Sequence, residues 1–187
     1  MDQFLADLYA DGVQHDAAQP DRLLRRRNLE PDTAALLAML VRIAGARRVV
    51  EIGTSNGYST IWLAAAAREV GGRVVSVDTQ EWPGVLANLS RAGVEVDLVR
   101  ADGGAHLASL ASGSVDLLFL DAERTEYPSW WPHPIRVLRP GGVLAIDNVL
   151  SHPDEVAPFL VLLAEDDRCR STTVAVGKGL SITWRAE

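Results

Sequence analysis

From Arg47 onward, short apolar runs alternate with longer segments whose apolar positions recur every three or four residues. "RRVVEIG" is the first run, rich in β-branched residues, and "YSTIWLAAAAREV" is the first helix-like segment, ended by Gly71 and Gly72. "RVVSVD", "VEVDLVRAD", "VDLLFLDA" and "VLAIDNV" repeat the strand pattern. "WPGVLANLSRAG" and "DEVAPFLVLLAEDD" read as helices, and "YPSWWPHPIRVLRPGG" as a proline-interrupted helix stopped at Pro140-Gly141-Gly142. "STTVAV" and "LSITWRA" lie so close together that they predict an antiparallel final pair. The first forty-odd residues predict two or three helices, the clearest being "PDTAALLAMLVRIAG", with Pro31 near its start and Gly45 at its end. Alternation at this spacing predicts an α/β fold: a mostly parallel seven-stranded sheet with an antiparallel last strand, helices on both faces and an N-terminal helical segment. We read residues 1–187 as one domain, with 1–45 helical and 46–187 a Rossmann-like core.

Open parallel sheets bind ligands beyond the carboxyl ends of their strands. Gly53 and Gly57 follow the first strand, Asp78 the second, Asp102 the third, Asp121 the fourth and Asp147-Asn148 the fifth. Four consecutive strands thus end in aspartate. For any one of them, capping of the next helix is an equal alternative. The glycine loop is G-x-x-x-G rather than the G-x-G-x-x-G of dinucleotide binders. An acid at the position of Asp78 can accept from both hydroxyls of a ribose, so the pair points to a nucleoside-containing cofactor without saying which.

Composition narrows the partners. Hydrophobic residues make up 48% of the chain, charged residues 23%, and the formal net charge is -7. That balance disfavours nucleic acid and anionic membranes, which need a cationic footprint. Cys169 is the only cysteine, so no internal disulfide can form. The N-terminus does not read as a signal peptide, and "PFLVLLA" is too short to span a bilayer, so a cytoplasmic location is expected. "RLLRRR" at Arg22–Arg27 reads as a solvated helical face with Leu23 and Leu24 turned inward. Trp130 and Trp131 are candidates for an aromatic pocket or for core packing.

"VVEIGTSNGYSTIWLA", "VVSVD", "FLDAERTEY", "VLRPGGVLAIDNVL" and "VGKGLSITW" occur in an order and spacing that resemble the S-adenosylmethionine-dependent O-methyltransferases of the catechol and caffeoyl-CoA type. The resemblance runs from about Pro31 to the C-terminus. It implies a methyltransferase fold, S-adenosylmethionine as cofactor, a small hydroxyl-bearing acceptor and a homodimer as the assembly to look for. Cofactor-binding residues would be Glu51, Gly53, Gly57, Tyr58, Ser59, Asp78, Asp102, Asp121 and Ala122. Asp121, Asp147 and Asn148 match the family's divalent-metal ligands, and an all-oxygen set suits Mg²⁺, Mn²⁺ or Ca²⁺. Asp121 also counts among the catalytic candidates. The family has a lysine base three residues after it, where this chain has Arg124, whose guanidinium is too basic for that role but can bind an anion. His152, close in sequence to the metal positions, is either a base near neutral pH or an exposed loop histidine. The rival readings are an NAD-dependent oxidoreductase, a metal-independent transferase and a cofactor-binding protein without activity.

Overall fold

The computed structural model describes residues 2–21 and 24–186. Its strands are β1 (Arg48–Ile52), β2 (Arg73–Asp78), β3 (Asp97–Arg100), β4 (Val115–Leu120), β5 (Leu138–Ile146), β6 (Cys169–Val174) and β7 (Leu180–Arg185). They form one sheet in the order β3-β2-β1-β4-β5-β7-β6. The first five are parallel, and β7 runs antiparallel to both of its neighbours. The helices are α1 (Asp2–Ala18), α2 (Pro31–Ile43), α3 (Tyr58–Glu69), α4 (Val85–Ala92), α5 (Gly103–Ser109), α6 (His133–Arg136) and α7 (Pro153–Glu165). The sheet agrees with the pattern expected of the sequence, including the antiparallel final pair, whereas α5 is not expected from it.

Alternation along β1 and β4 divides the core. Val49, Leu117 and Phe119 face α2 and α3, where Leu37, Val41, Ile61 and Leu63 cover them. Val50, Ile52, Leu118 and Leu120 point to the other side, against Tyr127, Trp130, Ile135 and Phe159. All six residues of β4 are buried, as its place in the middle of the sheet requires.

Two expectations are corrected. The proline-interrupted helix is instead a 3-10 turn over Arg124–Trp130, the short α6, and then strand from Leu138 onward. The sequence Pro140-Gly141-Gly142 lies inside β5, where the pairing with β4 shifts register between Val115 and Leu117. Such an irregularity accommodates a proline that cannot donate to a ladder. The arginine run is not a solvated helix either. Arg22 and Leu23 lie outside the described residues, Leu24 is 49% exposed, and residues 25–30 have no regular structure. Asp16 explains the course of that segment: its two carboxyl oxygens accept from the backbone N–H groups of Arg26 and Arg27, each at 2.7 Å.

The chain leaves β1 towards β2 on one side and later reaches β4 and β5 on the other. The carboxyl ends of β1 and β4 therefore flank the point where strand order reverses, which is where such sheets open a crevice.

Candidate functional site

A cavity of about 710 Å³ occupies that crevice, a volume ordinary for a cofactor together with a small molecule. Its floor is the strand ends Ile52-Gly53, Val77-Asp78 and Asp121-Ala122, and its far wall is the segment Arg25–Glu30 with Lys178.

The loop after β1 is shaped by backbone need. Gly53 has φ +110°, and a Cβ there would lie 2.1 Å from the Asp121 carbonyl oxygen, so no other residue lets these two strand ends approach. Gly57, at φ +86°, caps α3 and packs towards Val85; it supports the loop rather than lining the cavity. Between them, Thr54 and Ser55 donate backbone N–H groups to Asp78 Oδ2 at 3.0 and 3.1 Å, and Trp82 Nε1 donates to the same oxygen at 3.0 Å. Asp78 Oδ1 receives only the N–H of Gln80, at 3.2 Å, which leaves it to accept from a ligand.

Glu51 is fully buried beneath the loop. It accepts from Ser59 Oγ, Thr60 Oγ1 and Ser76 Oγ at 2.5, 2.5 and 2.6 Å. Burial pushes its pKa up to about 7, although the three hydroxyls work in the other direction. Glu51 thus acts on the cavity through Ser59, which lines it. Tyr58 also lines the cavity, its ring 5.6 Å from that of Tyr9, and burial raises its hydroxyl pKa.

Asp102 stands apart from this cluster. Its Oδ1 caps α5 by accepting from Ala105 N–H at 2.7 Å, and it faces a shallower depression beside His133. The main cavity is lined by its neighbours Ala101 and Gly103. Ala122, opposite them, has its N–H bonded to the buried Tyr127 hydroxyl at 2.8 Å.

Asp121 and Asp147 end the adjacent strands β4 and β5. Asn148 sits between them in the left-handed region, φ +67°, which asparagine tolerates. Its Nδ2 donates to Asp147 Oδ2 at 2.7 Å and lies 3.4 Å from Asp121 Oδ1. Asp147 is 2% exposed, and its Oδ1 has no partner. Burial raises the pKa of Asp147, and the charge of Asp121 raises it further. Burial raises Asp121 as well, against the pull of Lys178, Arg27 and Arg124. Among the described residues, no group of three or more His, Cys, Asp or Glu is arranged to hold a metal ion. Two carboxyls, one with an unpartnered buried oxygen, together with an amide still fit a hard cation that keeps several waters; a half-turn of the Asn148 amide presents its oxygen.

Of the two other catalytic candidates, Arg124 is 4% exposed and bound through Nε and Nη2 to Glu155 Oε2 at 2.9 and 2.7 Å. His152 lines the cavity, with Nδ1 2.9 Å from Ser151 Oγ. The tryptophans pack in the core: Trp130 against Gly103 and Gly104, reaching the cavity by one edge, and Trp131 edge-on to Phe159 at 6.3 Å.

The sequence reading gave no role to several lining residues. Among them, Asn56 is buried with an unpartnered Nδ2, Trp82 steadies Asp78, and Lys178 is paired with Glu30 at 2.8 Å. Asn56 lies inside the glycine loop and could have been found there. Trp82 and Lys178 lie in stretches that the pattern read only as helix and turn. No described helix is long and apolar enough to cross a membrane.

Comparison with known proteins bears on the family and the fold. Residues 13–186 match the model of a family described as O-methyltransferase. Over 139 residues the chain is 38% identical to the catechol O-methyltransferase of Mycobacterium tuberculosis, covering 72% of this chain and 61% of that protein. The structure is similar to the O-methyltransferase of Bacillus cereus solved in complex with SAH, with TM-score 0.80, 27% identity, and coverage of 99% of this chain and 91% of the other. It is equally similar to the Streptomyces achromogenes O-methyltransferase of tomaymycin synthesis, solved with SAM: TM-score 0.79, 27% identity, and coverage of 100% and 91%.

Proposed function

The chain belongs to the S-adenosylmethionine-dependent O-methyltransferase family, and from that premise we propose that it methylates a hydroxyl of a small, catechol-like acceptor with a divalent cation held by Asp121, Asp147 and Asn148. The observation that carries this reading is the unpartnered oxygen of buried Asp147, which does not itself line the cavity but is joined through the Asn148 amide to Asp121, which does.

S-adenosylmethionine, when bound, supplies an electrophilic sulfonium methyl and departs as S-adenosylhomocysteine. Asp78 Oδ1 would accept from the ribose hydroxyls, while Oδ2 is held by its three donors. Ala101, Gly103 and Ala122 would flank the base. The N-terminus of α3, with Ser59 and the unpartnered Asn56 Nδ2, would meet the methionine carboxylate. A divalent cation at the aspartate pair would supply positive charge that lowers the acceptor hydroxyl's pKa. His152, which lines the cavity with Nδ1 engaged by Ser151, would take that proton at Nε2 as the acceptor oxygen gains the methyl and the sulfur keeps the carbon–sulfur electron pair. Arg124, bound to Glu155, fixes the start of α7 that carries His152. Fixed charges and alignment supply the rate.

Calorimetric titration of Mn²⁺ into protein saturated with S-adenosylhomocysteine tests the assignment. Wild type is expected to bind one ion, and Asp147→Ala none. Equal binding by both, or by neither, removes the metal from the mechanism.

A further inference from the structure

Lys178 lies in the turn between β6 and β7, far in sequence from the other residues of the site, and none of the assigned steps uses it. Its position is nonetheless fixed. The carbonyl oxygen of Lys178 accepts from the N–H groups of Leu150 and Ser151 at 3.0 and 3.1 Å, and that of Gly179 accepts from Val149 at 3.1 Å. This zips the turn onto the segment that follows Asn148. The side chain leaves the turn into the cavity that Asp121 and Asn148 line, and its Nζ is held by Glu30 Oε1 at 2.8 Å.

Charge around the pair is otherwise committed. Arg124 is bound to Glu155, and Arg27 to Glu123 at 3.2 Å. Lys178 is a further cation that lines the cavity together with Asp121 and Asn148, and its ion pair is with Glu30. Glu30 in turn has a second carboxyl oxygen, Oε2, that is buried and without a partner. The carboxyls of Asp121 and Glu30 and the ammonium of Lys178 therefore line one cavity, with Asp147 buried behind the Asn148 amide and an unpartnered oxygen on both Asp147 and Glu30.

We propose that Lys178 is the built-in counter-cation of the Asp121–Asp147 pair: its ammonium balances the carboxyls until a divalent ion arrives, and it opposes that ion's binding. The inference rests on the metal reading of the same site. Glu30 is the positioning residue. It draws the ammonium towards the Arg25–Glu30 wall and away from the aspartates, so it favours the divalent ion. A unit charge within several ångströms, partly shielded by solvent, shifts the affinity of a doubly charged ion by roughly tenfold or more.

The test is the same Mn²⁺ titration of protein saturated with S-adenosylhomocysteine, applied to Lys178→Met and Glu30→Gln, with S-adenosylhomocysteine affinity as the control for an intact cavity. Lys178→Met is expected to bind Mn²⁺ at least tenfold more tightly than wild type, and Glu30→Gln several-fold more weakly. A purely structural role would move both variants in one direction. If wild type binds Mn²⁺ and loses it in Asp147→Ala, but Lys178→Met binds no more tightly than wild type, the counter-cation is overturned and the metal site stands. If neither wild type nor Lys178→Met binds Mn²⁺, both readings fall.

Discussion

Glu51 occupies a strand position whose neighbours on the same face are Val49 and, across the pairing, Phe119. A carboxyl so placed titrates late. Its pKa of about 7 in the folded chain compares with 4.5 when exposed, because burial outweighs the three hydroxyl donors. The folded state therefore binds a proton that the unfolded chain has already lost between those values. The contribution is fully present below about pH 4.5 and disappears as pH rises through 7. Wild type should lose on the order of 3 kcal/mol over this interval, and Glu51→Gln should show a flatter profile. Urea unfolding at pH 5 and pH 8 measures the difference, and parallel profiles for the two proteins would contradict it. The carboxyl itself was legible in "VVEIG", but its partners were not. Ser59 and Thr60 are eight and nine residues away and Ser76 is on another strand, so only the folded sheet brings them together.

At the level of elements, Asp116 shows the opposite titration. It is the one polar residue in β4, 5% exposed, and it ties the beginnings of three strands together. Its carboxyl accepts from the N–H groups of Arg47 and Arg48 at 3.0 and 2.7 Å, and from the side chains of Arg48 and Arg139 at 3.1 and 2.7 Å. Burial alone would raise its pKa, but these donors hold it below the usual value of 3.8. Its stabilisation is thus present above about pH 3.8 and lost as pH falls through the lower folded value. Asp116→Ala leaves two strand N–H groups and two guanidinium groups without their acceptor. About 2–4 kcal/mol should be lost at pH 7, read from the urea midpoint, with Asp116→Asn between the two. In the sequence, "VDLLFL" announces a central strand because five of its six residues are apolar. Nothing in it announces a pin, since Arg47, Arg48 and Arg139 come from distant segments. The stretch around Pro140 was misread for a related reason. Proline and glycine mark an interruption, but only the pairing with β4 decides whether helix or strand is interrupted.

For the molecule as a whole, the strand-end side of the cavity was readable and the opposite wall was not. Glycine loop, Asp78, Asp121 and Asp147 all follow strands, and the strand pattern orders them in space. The opposite wall comes from Arg25–Glu30 and from Lys178, which approach from the two ends of the chain. Neither has a periodic pattern to place it. Asp102 carried the same strand-end signal as Asp78 and turned out to cap α5, so that signal alone does not separate a ligand contact from a cap.

One link between those two sides makes the cavity accessible to a protease assay. Ser55, inside the glycine loop, donates its hydroxyl to the Arg26 carbonyl oxygen at 2.7 Å, so the arginine segment, which Asp16 also holds, is tied to that loop. Trypsin cleaves after arginine only when the backbone can leave its seat. Saturation with S-adenosylhomocysteine should therefore slow cutting after Arg25, Arg26 and Arg27, while cutting after Arg170, in β6 at the far edge of the sheet, keeps its pace. Mass spectrometry of a timed digest would follow both sites in one sample, and equal slowing at the two would mean that the segment does not report on the loop. Through that single hydroxyl, occupancy of the cofactor site becomes readable as the survival time of a peptide bond near the N-terminus.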